Sequence, residues 1–92
     1  MLNWDDVFTT KSDVVTRESD GELVVVMPDQ GKFVVLNATG ARVLLLADGQ
    51  RTLRDIAQKI ATEFNADVSL VEQDVLQFAD SLVERKVLVS AT

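Results

Sequence analysis

The side chains of this 92-residue chain that could do chemistry are almost all carboxylates. The chain has no histidine and no cysteine, so the commonest general base, the commonest metal ligand and any thiolate site are missing. The close acid groups are Asp5 with Asp6, and Glu72 with Asp74. Carboxylates catalyse acid–base steps when they are desolvated, but acids spaced in this way are typical of solvated helix faces. Because no phosphate-binding loop or nucleophile elbow occurs either, the sequence predicts a binding module that is not an enzyme and needs no cofactor or metal.

The composition limits the chemical class of partner that the chain can bind. The formal net charge of −6 repels nucleic acid and anionic lipid, so the expected partner is neutral or locally basic. The first ten residues carry acids where a signal peptide needs basic residues, and no apolar run approaches the ~20 residues that span a bilayer. We therefore expect a cytoplasmic protein with no membrane partner. Its length predicts one small domain, residues 13–92, preceded by an N-terminal arm, residues 1–12.

Three strands are predicted near the start of the domain. Valine-rich segments cover residues 13–18 and 22–27, and Asp20 with Gly21 between them is a hairpin signal. Pro28 and Gly31 frame a second turn, after which residues 32–36 form the third strand. Asn37 follows as the N-cap of a helix, so the chain leaves the sheet at once. In such a meander the third strand has no partner on its outer side, and an unpaired apolar edge either aggregates or receives another strand.

Three helices follow. The first is predicted over residues 38–47, ended by Asp48 and Gly49. Gly40 lies unusually early in it, and we interpret this glycine as a site of close packing against the sheet. The second helix is predicted over residues 53–64, with Thr52 and Asp55 as its cap. Its buried stripe consists of Leu53, Ile56, Ala57, Ile60, Ala61 and Phe64.

The third helix is predicted from a capping box of Ser69 and Glu72 to about Arg85, and a short apolar tail, residues 87–89, follows as an extended segment. Its apolar arc is about 160° wide, more than one core-facing stripe needs. Two interpretations stay open: part of this face is left for a partner, or the helix is sandwiched between the sheet and the second helix.

Together these elements predict an α+β fold of the winged helix-turn-helix class, a three-stranded antiparallel sheet followed by three helices. Many such domains bind DNA, but the candidate recognition helix is mostly acidic, with Glu72, Asp74, Asp80 and Glu84. Phosphates would meet a repulsive surface, so a DNA-binding function is disfavoured.

A set of residues recurs in a fixed order along the domain: Lys32, Leu36, Asn37, Gly40, Val43, Leu44, Asp48, Gly49, Arg51, Thr52, Ile56, Phe64, Asp74, Val75, Phe78 and Leu82. In this order and spacing, over residues 13–89, the chain resembles the PqqD-like family, also called the RiPP recognition element. The resemblance implies a non-catalytic domain that captures the leader of a ribosomally made precursor peptide and presents it to a modifying enzyme. The leader then adds as a strand to the third strand and lies against the third helix.

Carried onto this chain, the resemblance implies nine peptide-binding residues: Lys32, Phe33, Val34, Val35, Leu36, Val71, Asp74, Val75 and Phe78. Asp74 either holds a basic group of the leader or favours the helix N-terminus. Lys32 either meets a leader carboxylate or protects an edge strand from aggregation. Val75 and Phe78 are alternatively plain core residues.

The chain departs from PqqD proper at two places, reading Val25-Val26-Met27 in the second strand and Lys86-Val87-Leu88 near the end, where the family has aromatic residues and a tryptophan. The implied pathway is therefore maturation of a lasso peptide or of a peptide modified by a radical SAM enzyme, or synthesis of pyrroloquinoline quinone. The implied partners are a precursor leader and either a radical SAM enzyme or a leader peptidase. The alternative is a scaffold domain that docks onto an enzyme without capturing a peptide.

Overall fold

The computed structural model describes residues 2–91. It contains, in chain order, β1 (Val7–Thr10), β2 (Val15–Ser19), β3 (Glu22–Met27), β4 (Lys32–Leu36), α1 (Ala38–Leu46), β5 (Asp48–Thr52), α2 (Leu53–Phe64), α3 (Val68–Glu84) and β6 (Leu88–Ser90). The predicted α+β class is confirmed. None of the helices in this part of the chain has the length and hydrophobicity needed to span a lipid bilayer.

The three predicted strands form one antiparallel sheet in the order β2-β3-β4. Asp20 and Gly21 join β2 to β3 with φ angles of 51° and 81°, the left-handed conformation that a tight hairpin needs. Pro28–Gln30 forms a single 3-10 turn between β3 and β4, and Gly31 closes it with a φ of 63°. Both turn predictions are confirmed. The inward side chains of β3 are buried, and they belong to Leu23, Val25 and Met27.

A second three-stranded sheet, in the order β5-β1-β6, was not predicted. The segment Val7–Thr10 from the predicted N-terminal arm is its central strand, and it pairs antiparallel with both neighbours. Phe8 in this strand is buried, with 6% of its surface exposed. The apolar tail is also part of this sheet, since Leu88 lies opposite Thr10 in β6. The extended form predicted for the tail is therefore confirmed.

The helix caps agree with the sequence at two helices. Asn37 Oδ1 accepts a hydrogen bond from Gly40 N at 3.0 Å. Thr52 and Asp55 form a reciprocal capping box at the start of α2. At α3 the prediction was wrong, because the N-cap is Asp67, whose Oδ1 accepts a hydrogen bond from Ser69 N at 2.8 Å. Ser69 is already within the helix, since a carboxylate two residues earlier caps it first.

Two further details differ from the sequence prediction. The first helix ends at Leu46, and Asp48 and Gly49 begin β5 instead of only stopping the helix. Their backbone is drawn into a strand because β1 offers it a partner. Phe64, assigned to the buried stripe of α2, is 43% exposed because it is the last residue of that helix, before Asn65 turns into the left-handed conformation.

Surface carboxylates that receive hydrogen bonds predict how stability depends on pH. The hydrogen bonds from Arg42 hold the pKa of Glu63 below its ordinary value, and the backbone N–H groups of Gln50 and Arg51 lower the pKa of Asp48. These groups therefore contribute stability above the ordinary carboxyl pKa of about 4, and the contribution is lost as the pH falls through their lowered pKa values. Because the chain has no histidine, we expect the free energy of unfolding to be level between about pH 6 and 8.

Urea denaturation from acidic pH up to about pH 8 measures both the loss of stability in acid and the level region. Replacement of Glu63 with Gln should flatten part of the loss of stability in acid. A clear slope between about pH 6 and 7 would contradict the account, since no side chain in the sequence titrates there without a strongly shifted pKa, and the α-amino group titrates nearer pH 8.

Candidate functional site: the open edge of β4 and the face of α3 beside it

The outer edge of β4 has no partner strand among residues 2–91. β4 pairs with β3 alone, in a register from Met27 opposite Lys32 to Leu23 opposite Leu36. The C-terminal strand β6, which could have covered this edge, pairs with β1 instead. The other edge strand of the sheet, β2, reads VTRES; it is exposed throughout and is polar apart from Val15, whereas β4 reads KFVVL. The apolar edge that can accept another strand is therefore β4.

The side chains of β4 divide between two faces of the sheet. Lys32, Val34 and Leu36 lie opposite the buried residues of β3 and share their inner face. Phe33 and Val35 point to the outer face, where they are 68% and 46% exposed. A strand added at this edge would place its own side chains alternately beside these two sets.

Phe78 of α3 lies where α1, α3 and β4 meet. A Cβ atom on Gly40 would come within 2.8 Å of Phe78 Cε1 and within 3.3 Å of Leu36 Cβ. Only a glycine lets the ring lie this close to the start of α1. Gly40 is therefore a site of close packing, as predicted, but its nearest contact is Phe78 of α3, and Leu36 of the sheet is the next. Phe78 itself is half-buried, so part of its surface stays exposed.

A cleft of about 330 Å³ lies at the other end of β4, beside Lys32. It is lined on the sheet side by Met27, Gln30 and Lys32, and on the helix side by Ser81, Glu84 and Arg85. Gln30 Nε2 donates a hydrogen bond to the carbonyl oxygen of Arg85 at 3.1 Å and so ties the turn to the end of α3. Phe78 and Leu36 both lie beside Gly40, at the end of β4, whereas Arg85 and Lys32 line the cleft at its start. The chain direction of α3 is therefore opposite to that of β4.

The nine residues suggested by sequence divide by burial. Lys32, Phe33, Val35 and Asp74 are exposed, and Val34 and Phe78 are half-buried. The other three are buried in the core: Leu36 with 5% exposed, Val71 with 6% and Val75 with 0%. These three side chains belong to the hydrophobic core, whereas the first six leave part of their surface exposed.

Sequence reasoning missed five residues of the cleft: Met27, Gln30, Ser81, Glu84 and Arg85. The signal for two of them, Ser81 and Arg85, was present, because Asp74, Phe78, Ser81 and Arg85 follow the three- and four-residue spacing of one helix face.

The wide apolar arc of α3 is explained in part by the N-terminal segment. Leu2 and Trp4 line a second cavity, of about 590 Å³, together with Leu76 of that arc. Among residues 2–91, no group of three or more acidic, histidine or cysteine side chains is placed to hold a metal ion.

Replacement of Gly40 with Ala tests the packing around Phe78. The added methyl group overlaps the ring, and overpacking of this kind costs about 1–3 kcal/mol. This exceeds the gain of up to about 1 kcal/mol from removing a glycine within a helix, so we expect a lower free energy of unfolding. The double variant Gly40→Ala/Phe78→Leu removes the ring that is hit, and it should recover part of the loss. Urea denaturation measures both, and a Gly40→Ala variant more stable than the parent would contradict the geometry.

The sequence matches a known protein family. The family model described as Coenzyme PQQ synthesis protein D (PqqD) matches residues 22–88. Two similar proteins are each named PqqA binding protein. The one from Xanthomonas euvesicatoria pv. vesicatoria (strain 85-10) is 44% identical over 41 residues, which are 45% of this chain and 45% of that protein. The one from Gluconobacter oxydans (strain 621H) is 36% identical over 57 residues, 62% of this chain and 59% of that protein. The chain thus spans about half the length of the curated relatives it matches.

Solved structures extend the similarity over most of the chain. One is the solution NMR structure of the PqqD truncation of Methylobacterium extorquens PqqCD, described as a functional, stand-alone RiPP recognition element. It is 26% identical with a TM-score of 0.80, and the match covers 97% of this chain and 95% of that one. TbiB1 in complex with the TbiA(beta) leader peptide is also 26% identical, with a TM-score of 0.76 and coverage of 87% and 93%. Since the family model spans well over half of the sequence, this chain belongs to the PqqD family.

Proposed function

We propose that this chain is a non-catalytic recognition element that captures the leader of a ribosomally synthesised precursor peptide and presents it to a modifying enzyme. The observation that carries the proposal is the open apolar edge of β4 beside Phe78 and the adjoining cleft. An extended leader would join the sheet as a fourth strand and lie against α3. The relatives named PqqA binding protein and the similar TbiB1 complex with a leader peptide support this use of the fold.

The energetics indicate what the leader must provide. Alternate residues of β4 turn their N–H and C=O groups outward, so a guest strand gains about four to six hydrogen bonds. Each bond contributes about 0.5–1.5 kcal/mol, whereas association costs ~4–15 kcal/mol. The hydrogen bonds together therefore offset only the lower end of that cost. Affinity therefore depends on apolar leader side chains that bury against Val34 and Phe78 on one face, and against Phe33 and Val35 on the other.

The proposed site keeps all nine residues but gives them different roles. Lys32, Phe33, Val34, Val35, Asp74 and Phe78 contact the leader. Leu36, Val71 and Val75 hold the groove in shape from below, since their side chains are buried.

The partners in this proposal are the leader and the enzyme that modifies it, a radical SAM enzyme or a leader peptidase. The domain supplies no catalytic group and binds no nucleic acid. It acts in the cytoplasm, where ribosomal peptides are made. The product is a lasso peptide, a peptide modified by a radical SAM enzyme, or pyrroloquinoline quinone.

A titration followed by amide NMR shifts tests the proposal. The ¹⁵N-labelled protein is titrated with the leader of the precursor peptide encoded beside its gene, and a peptide of the same composition in scrambled order is the control. We expect the largest shifts at residues 32–36 and along the Phe78 face of α3. Shifts scattered away from β4 would overturn strand addition. No response to the leader, together with direct binding to the enzyme, would indicate the scaffold function instead.

A further inference from the structure

The cleft between β4 and the end of α3 contains two cations that have no carboxylate partner. Of the nine Lys and Arg residues, all within the described part of the chain, four form ion pairs: Lys11, Arg42, Arg51 and Arg54. Two of the remaining five, Lys32 and Arg85, line the same cleft. Glu84 is the one acid among its lining residues, and it forms no ion pair with either cation. A protein with a net charge of −6 thus leaves two free positive groups together beside its open strand.

Two hydrogen bonds involve Arg85, one at its backbone and one at the base of its guanidinium group. Its carbonyl oxygen accepts the hydrogen bond from Gln30, and its Nε donates to Ser81 Oγ at 3.3 Å. Among residues 2–91 no hydrogen bond is made by its two terminal nitrogens, the pair that binds a carboxylate in bidentate fashion. The arginine is therefore tethered at its base while its binding end stays open.

Lys32 lies on the inner face of the sheet, opposite Met27, and not on the exposed outer face. A lysine that only protected the edge from aggregation would act equally well there, so position alone leaves both roles open. The presence of Arg85 in the same cleft favours a ligand, because an edge guard on the sheet needs no second cation from a helix.

We propose that this cleft selects leader peptides carrying an Asp or Glu side chain that binds between Lys32 and Arg85. The inference rests on the proposed function and specifies its substrate class. The acidic residue occupies an inner-face position of the added strand. The leader residues two and four places from it, in one direction along the leader, then share this face and are apolar, because they lie beside Val34 and then beside Phe78. Asp74 lies about 16 Å away along α3 and disfavours an acid at the other end, which fixes the direction in which the leader lies.

Selection from a peptide library tests this without knowledge of the natural leader. Random peptides of about 12 residues, long enough to span about 40 Å as a strand, are displayed and selected against the parent protein. We expect enrichment of Asp or Glu at one position, with apolar residues two and four places away. A selected binder resynthesised with Gln in place of the acid should bind about tenfold more weakly, a loss typical of one hydrogen bond to a charged group.

Charge reversal in the protein is the second part of the experiment. Lys32→Glu/Arg85→Glu should select Lys or Arg at that same peptide position. The matched control is Arg17→Glu/Lys59→Glu, which lowers the net charge by the same amount at exposed cations outside the cleft, and it should still select acids.

The possible outcomes distinguish a failure of this inference from a failure of the proposed function on which it rests. Peptides that shift the amides of β4 yet show no acid preference overturn the inference and leave leader capture standing. A failure to select any peptide that shifts β4 overturns both. If charge reversal causes aggregation without changing the selected motif, Lys32 is an edge guard and the inference is wrong.

Discussion

Proline at one of two adjacent positions in β4, Val34 or Val35, is expected to abolish peptide binding while leaving the fold intact. Successive residues of an antiparallel strand turn their N–H groups alternately toward one neighbour and then the other. One of these two residues therefore donates to β3, and the other points its N–H at the open edge. Proline removes the donor, and its ring occupies the space where a guest strand would approach.

The two variants should behave in opposite ways. The one with proline at the outward N–H should lose peptide affinity by more than about tenfold, because the donor and the space for the guest backbone are lost together. The one with proline at the inward N–H breaks the β3–β4 ladder and should lose about 1–3 kcal/mol of stability. Calorimetric titration with a peptide that binds the parent, together with urea denaturation, measures both effects.

Proline on the opposite edge strand gives the matched control. Thr16→Pro and Arg17→Pro place the same change in β2, whose side chains are exposed throughout. One of these variants also keeps its fold, and it should bind peptide as the parent does. Unchanged affinity in both β4 variants would mean that a guest does not pair with this edge.

The sheet that forms the site could be predicted from sequence because its signals are local. The Asp20-Gly21 turn, the Pro28 to Gly31 turn and the valine-rich run of β3 all lie within or next to the strands that they define. The Asn37 cap then fixes where the last strand ends. Each of these residues acts through its own backbone geometry or its nearest neighbours, so no knowledge of the tertiary fold was needed.

The second sheet could not be predicted because its signals are distant in sequence. β5 reads DGQRT, a polar segment with no strand propensity, and Asp-Gly within it is a common end to a helix. It becomes a strand because β1, about 40 residues earlier, lies alongside it with Val7 opposite Thr52. The cleft has the same origin: Gln30 meets the carbonyl of Arg85 across 55 residues of sequence, and no local pattern indicates that meeting.

Removal of the N-terminal arm, residues 1–12, is expected to unfold the domain. The sequence suggested a separable arm, and the independence of residues 13–92 is still a prediction that truncation can test. Deletion would remove the central strand of the second sheet and the buried side chain of Phe8. It would also remove the carbonyls of Asp6 and Trp4, which accept the first two N–H groups of α2, from Leu53 at 3.1 Å and Arg54 at 3.0 Å.

Magnitudes show why this loss should be decisive. Replacing a buried phenylalanine with alanine costs about 3–5 kcal/mol, and a domain of this kind has about 5–15 kcal/mol of stability in total. Phe8→Ala alone should therefore lower the midpoint of urea denaturation strongly, and the 13–92 fragment should show the circular dichroism of a largely unfolded chain. Asp5→Ala is the control, because its ion pair with Arg54 is exposed and such pairs contribute at most about 1 kcal/mol. A 13–92 fragment that unfolds cooperatively near the parent's midpoint would show that the second sheet is dispensable and that the arm is separable as the sequence suggested.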